Sequence, residues 1–220
     1  MSDSTLLSGV GYVRDTIPHD IFAQLTAEAS LAREKAINVN RELAGAIKEE
    51  YNIGRSDFIT GEFFDYIIKL IGQYEQTFSV PVSENPLSYP LFQLPFIDRS
   101  SLITTWINYQ KKAEYNPPHR HSGAYSFVMW LNIPYDIDKE KELYRSSTDF
   151  TFQFVQDGQI QQCPIDPSEG DIVLFPSGLW HSVNPFFLSD EFRISISGNI
   201  DAPIFDMPYS PDHVPQELNQ

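Results

Sequence analysis

Tyr115–Pro134 reads YNPPHRHSGAYSFVMWLNIP, and the fold turns on this stretch. His119 and His121 stand two residues apart, just ahead of the β-prone run Ser126–Ile133 (SFVMWLNI). In extended backbone, residues i and i+2 point to one face, and two imidazoles about 6–7 Å apart along a strand can share a metal ion. The chain holds five histidines, and His181 follows 62 residues after His119, at another strand junction. His19 and His213 fall at a helix start and in the tail, and read as surface residues.

Outward from that stretch the hydrophobic period stays at two. Ser101–Lys111 (SLITTWINYQK) is strand-like, and the acidic and basic run YDIDKEKELYRSS reads as an exposed excursion. Phe150–Val155 and Ile160–Cys163 flank Asp157-Gly158, a hairpin turn signal. Glu169-Gly170 turns into Asp171–Phe175, and Arg193–Ile200 is the last clear strand. Several short strands with this punctuation predict a sandwich of jelly-roll type.

Upstream the period is helical. Phe22, Leu25 and Ala29, then Leu43, Ile47 and Tyr51, predict two helices broken at Asn38-Val39-Asn40. A third helix is predicted from about Thr60-Gly61-Glu62, with Phe63, Phe64, Ile67, Ile68, Ile71 and Tyr74 on its apolar face. Residues 1–17 read as extended. The segment PVSENPLSYPLFQLPF carries four prolines in 16 residues and reads as a wrapping loop. No Gly/Ser linker or repeat divides the chain, so residues 1–220 are read as one domain: a helical part (1–80), a jelly-roll core (81–200) and a tail (201–220). The fold class expected is mainly β, with N-terminal helices packed on the sheet.

Composition bounds the function. The chain of 220 residues is 41% hydrophobic and 14% aromatic, which is globular. No apolar run reaches the roughly 18–20 residues that span a bilayer, and MSDSTLLSG shows no secretory signal. The single cysteine, Cys163, excludes an internal disulfide and fits the cytosol. Fifteen basic against 30 acidic residues give a charge of −15, which repels a phosphate backbone and disfavours general nucleic-acid binding. Lys111-Lys112 is the one basic pair near the histidines.

Three histidines offer neutral nitrogen ligands that suit Fe, Zn, Cu and Ni alike. Taken alone, a His-x-His pair is as readily a polar pair at a strand edge. Arg193-Ile194-Ser195, 12 residues after His181, adds to the case. By alternation Arg193, Ser195 and Ser197 share a face. A buried arginine needs a partner, and its planar fork prefers a carboxylate. Facing water, the same arginine would mean nothing.

These residues resemble the iron(II)/2-oxoglutarate-dependent dioxygenases, and most nearly the small 2OG-Fe(II) oxygenases of phage and bacterial genomes. PPHRHSGAYSFVMWLNIP, EGDIVLFPSGLWHSVNPF and FRISISGNI carry the resemblance, with NRELAGAIKEEYNI in the N-terminal part. It implies a double-stranded β-helix (jelly roll) that binds Fe(II) and 2-oxoglutarate, activates O₂ and most often hydroxylates a substrate. His119 and His181 match the family's histidine ligands, Arg193 the residue that pairs with the distal carboxylate of 2-oxoglutarate, and Ser195 its hydroxyl neighbour. Asn108 resembles a polar cosubstrate contact, and Trp130 stands where relatives place an aromatic hydroxyl residue. Ser126, Val128, Trp130 and Asn132 share a strand face and are expected to line the pocket.

The family's carboxylate ligand falls where this chain has His121. Three readings stand: a three-His iron centre, an acid supplied from elsewhere, or His121 as the motif's first histidine with Gly123 at the acid position. The first is favoured, because that branch keeps a His-x-His pair. The expected substrate is a protein or peptide side chain, as for prolyl hydroxylases, or a small molecule. Rival readings are a three-His metalloenzyme that uses no 2-oxoglutarate, and a non-catalytic jelly-roll binding module.

Overall fold

Alternating side chains set the architecture, and a computed structural model describes it for residues 3–7, 10–35, 37–39, 45–78, 102–144 and 149–201. The N-terminal part contains β1 (Asp3–Leu7), β2 (Val10–Thr16), α1 (His19–Lys35), β3 (Glu49–Asn52), α2 (Asp57–Thr60) and α3 (Glu62–Phe78). Then follow β4 (Leu102–Gln110), β5 (Asn116–His119), β6 (Tyr125–Asn132), α4 (Ile137–Tyr144), β7 (Phe150–Gln156) and β8 (Gln159–Ile165). The last strands are β9 (Asp171–Pro176), β10 (Trp180–Val183) and β11 (Arg193–Asp201). The proline-rich segment and the tail lie outside the described residues, as does Leu43.

The protein is mainly β, in two antiparallel sheets. Seven strands run in the order β1-β2-β9-β6-β11-β4-β3, and four in the order β5-β10-β7-β8. The two faces of the large sheet have different partners. Ile103, Ile107 and Tyr109 of β4, Met129 of β6 and Ile196 of β11 pack with Phe63, Ile67, Leu70 and Ile71 of α3 and Leu25 and Ala29 of α1. On the other face, Val128, Trp130, Val173 and Phe175 pack against Phe150, Phe152 and Ile165 of the small sheet. The β7–β8 hairpin closes on two residues at positive φ, Asp157 (52°) and Gly158 (75°), as its Asp-Gly pair predicts.

Two expectations need correction. The second helix is not formed across Ile47–Tyr51. Glu49–Asn52 is β3, paired with β4 in the register Glu49↔Tyr109 to Asn52↔Trp106, so the N-terminal part is helical only in places. Hydrogen bonding to a free sheet edge outweighs a helical spacing only three apolar residues long. The charged run after β6 is also no exposed excursion throughout. Ile137–Tyr144 forms α4, and Glu140 is fully buried because its Oε1 accepts the backbone N–H groups of Phe187 (2.8 Å) and Leu188.

Candidate metal centre and its pocket

His119 ends β5, and β10 places His181 directly opposite it in the antiparallel ladder. His121 lies just beyond β5, held by its backbone N–H donating to Ser177 O (2.9 Å). Gly123 follows at φ 100°, in a turn where a Cβ would lie 2.8 Å from Asp201 Oδ1 and 3.0 Å from Ile200 O. Glycine is the residue that takes this conformation without strain. The three imidazoles converge, with ring centroids 4.3–5.0 Å apart and ligating nitrogens all within 4.8 Å of one another.

Their chemistry suits a cation. His119 Nδ1 lies 2.7 Å from Pro117 O and His181 Nδ1 2.9 Å from Leu179 O. A carbonyl only accepts, so each Nδ1 carries the proton and each Nε2 keeps its lone pair for a ligand. Burial holds all three pKa values below the ordinary histidine range, with mutual repulsion adding to it at His121 and His181; His121 falls to about 4. The rings are therefore neutral near pH 7, the state that binds metal. Phe150 and Phe175 pack on His181, and Trp106 meets His121 edge to face. Among the described residues no carboxylate joins this group, so the donor set present is three imidazoles, and it fits a first-row divalent ion.

The pocket beside the histidines is lined by Asn108, Trp130, Arg193 and Ser195, all singled out from sequence, and by Val128 and Ser197. Arg193 is 2% exposed. Its Nε and Nη2 donate to Gln110 Oε1 (2.9 and 2.5 Å), Nη1 to Tyr135 Oη (2.7 Å) and Nη2 to Asn184 O (2.6 Å). Asn108 Nδ2 donates to Ser195 Oγ and Ser197 Oγ, both at 3.2 Å. Ser126 is turned elsewhere, to Ser177 and Asn199, and Asn132 donates to Phe192 O. Trp180 is exposed, with Arg120 over its ring, and is not a wall of the pocket. Lys111 and Lys112 pair with Glu49 and Asp190, so they build no basic groove.

Sequence reasoning missed Tyr135 and Glu50. Alternation along β4 puts Gln110 on the face of Trp106 and Asn108, but its bonds to Arg193 leave no signal in the sequence. Tyr135 arrives from the turn after β6 and has no periodic signal. Glu50 was hidden by the helical reading of its segment.

Residues 104–199 match the family described as "Putative 2OG-Fe(II) oxygenase". No curated protein matches the sequence. Among solved structures, a Pseudomonas putida prolyl-4-hydroxylase is similar at 16% identity and TM-score 0.56, covering 88% of this chain and 93% of that one. The α-ketoglutarate-dependent epimerase SnoN of nogalamycin biosynthesis is similar at 12% identity and TM-score 0.52, covering 88% and 77%. Over residues 104–199 the chain is thus similar in sequence to the 2OG-Fe(II) oxygenases, and beyond that stretch the likeness is one of fold.

Proposed function

We propose that the protein is a 2-oxoglutarate-dependent hydroxylase, one domain on a double-stranded β-helix, with His119, His121 and His181 as its iron ligands. The observation that carries the reading is the convergence of three neutral imidazoles beside a pocket walled by a buried arginine. Iron bound there, with 2-oxoglutarate and O₂, supplies the oxidising power for substrate hydroxylation, with release of succinate and CO₂. The chain's own groups bind and orient. The charge of the Arg193 guanidinium and the Ser195 hydroxyl would hold the distal carboxylate of 2-oxoglutarate, and Gln110 and Tyr135 fix the guanidinium in position. Asn108 fastens Ser195 from the neighbouring strand, and Trp130, on the pocket wall, would pack against the cosubstrate and help exclude water.

The substrate is a protein or peptide side chain, as the prolyl-4-hydroxylase likeness suggests, or a small molecule; the epimerase on the same fold is a reminder that fold does not fix outcome. A solitary Cys163 without a disulfide fits the cytosol, that of the host if the gene is a phage's.

Anaerobic addition of Fe(II) and then 2-oxoglutarate is expected to give a visible charge-transfer band, and admission of air to release succinate. Metal binding without any effect of 2-oxoglutarate would favour a three-His metalloenzyme of another kind. Absence of metal binding as well would leave a binding module.

A further inference from the structure

Arg193 is gripped by two segments from outside the sheet, and one buried carboxylate ties those segments together. Tyr135, just ahead of α4, accepts a hydrogen bond from Arg193 Nη1 (2.7 Å). Asn184 O, in the link from β10 to β11, accepts one from Nη2 (2.6 Å). Phe186, in the same link, is fully buried. It stacks on Tyr135 with ring centroids 4.6 Å apart and an interplanar angle of 21°. The guanidinium lies 5.6 Å from the Phe186 centroid and 6.0 Å from that of Tyr135, within reach of both rings. Neither aromatic residue belongs to a strand, so no ladder of the sheet sets its place.

Glu140 supplies what the ladder does not. The run Tyr135-Asp136-Ile137-Asp138-Lys139-Glu140 starts a helix directly after the tyrosine. Asp136 Oδ1 accepts the N–H groups of Asp138 (3.1 Å) and Lys139 (3.2 Å), and Glu140 N–H donates to Asp136 O (3.0 Å). Capped in this way, the first turn of α4 fixes the position of Glu140 relative to Tyr135. A carboxylate is buried at great cost unless hydrogen bonds compensate it. Glu140 finds them in the β10–β11 link, where its Oε1 accepts the backbone N–H groups of Phe187 (2.8 Å) and Leu188. Bonds of this kind are charge-assisted, and so stronger than neutral ones. Asn184 is held separately, its N–H donating to Asp149 O (3.0 Å), and Phe186 O accepts the N–H of Ala113 (2.9 Å). Glu140 joins the segment of Phe186 to the segment of Tyr135, so that the two rings close on Arg193 as a pair.

We propose that Glu140 is a positioning residue for Arg193: by clasping Phe187 and Leu188 it sets the Tyr135–Phe186 pair, and through that pair the guanidinium that anchors the cosubstrate. The word cosubstrate rests on the oxygenase reading; the fixing of the guanidinium does not.

The test has one readout without ligand and one with it. In heteronuclear NMR of the isotope-labelled full chain, the Arg193 Nε–H signal is assigned by its loss in Arg193→Lys. Its exchange with solvent is expected to be about tenfold faster in Glu140→Ala, because a local opening becomes easier. Under nitrogen, Glu140→Ala is expected to weaken 2-oxoglutarate binding about tenfold and to leave Fe(II) affinity within about twofold. In an Arg193→Ala background the same change should have no further effect, since residues acting as a unit are not additive. Glu140→Asp, too short to reach both N–H groups, should behave as alanine does, and it decides if the alanine variant does not fold. Glu140→Gln keeps an acceptor oxygen at the same reach and should stay within about threefold of wild type. Unchanged Nε–H exchange overturns the proposal, as does faster exchange with full 2-oxoglutarate affinity. Equal loss of iron affinity, an undiminished effect in the Arg193→Ala background, or a glutamine variant as damaged as alanine also overturns it. Wild-type protein that binds 2-oxoglutarate, with exchange unchanged in the variants, sinks the clasp and spares the oxygenase. Faster exchange in a protein that takes no 2-oxoglutarate does the reverse, and leaves Glu140 as the clasp of Arg193 alone.

Discussion

Arg193 is the residue on which the cosubstrate reading stands or falls. Its guanidinium is buried and held on three sides by Gln110, Tyr135 and the carbonyl of Asn184. Truncation to alanine removes a charge-assisted anchor of about 2–3 kcal/mol, so 2-oxoglutarate affinity is expected to fall roughly 30- to 150-fold. Iron binding, which is proposed to depend on His119, His121 and His181, should change little. Titration of the anaerobic charge-transfer band measures both, and an unchanged 2-oxoglutarate affinity removes Arg193 from the site. Glu50 gives a second test, through pH. Its folded value of about 8 lies above the ordinary 4.5, so the folded state holds its proton longer than the unfolded chain does. The stability it contributes is fully present below about 4.5 and is lost as pH rises through 8. His121, lowered to about 4, acts in the opposite sense between 4 and 6.5. From 6.5 to 8, Glu50 is the shifted group that acts. Urea unfolding of the metal-free protein should therefore show stability falling over that interval, and Glu50→Gln should flatten the fall.

At the scale of elements, the strands of the site were legible in the sequence and their neighbours were not. β4, β7 and β11 carry period-two patterns and β6 and β9 continuous apolar runs, all long enough to read, and the Asp157-Gly158 turn set one register. His119 and His181 could be nominated, but their opposition across β5 and β10 is a long-range pairing that no local pattern encodes. β3 was misread because Ile47 and Tyr51 fit a helix as well as a strand, and the free edge of β4 settles the matter. That misreading hid Glu50. The link between β5 and β6 is as exacting as any strand. Gly123 lies at φ 100°, where a Cβ is strained and would press on Asp201 Oδ1 and Ile200 O, and it follows His121 by two residues. Gly123→Ala is expected to cost about 1–3 kcal/mol of stability from backbone strain, more if the contact with Ile200 cannot relax. It should also weaken iron binding, since His121 is carried by the same turn. Thermal unfolding paired with iron titration checks this; a variant that loses stability and keeps full metal affinity would show the turn to be structural only.

Taken as a whole molecule, the large sheet separates two tasks by its two faces. Alternation along β4 sends Ile103, Ile107 and Tyr109 to the helices, and Trp106 and Asn108 to the pocket; along β11 it sends Ile196 one way and Arg193, Ser195 and Ser197 the other. The helix face supplies much of the apolar burial, with Phe63, Ile67 and Leu70 of α3 fully enclosed. The pocket face can then keep buried polar groups, such as Arg193, Glu50 and the histidines, that weaken a fold on their own account. Damage to the two faces should therefore separate. Ile67→Ala, which opens a cavity against the sheet, is expected to cost about 2–5 kcal/mol. Iron and 2-oxoglutarate affinities measured well below its melting temperature should stay within about twofold of wild type, because the sheet backbone stands between Ile67 and every pocket group and well-separated sites add nearly independently. Loss of ligand affinity in step with stability would instead mean that the helix layer sets the shape of the pocket, and that α3 belongs to the site as much as the strands do.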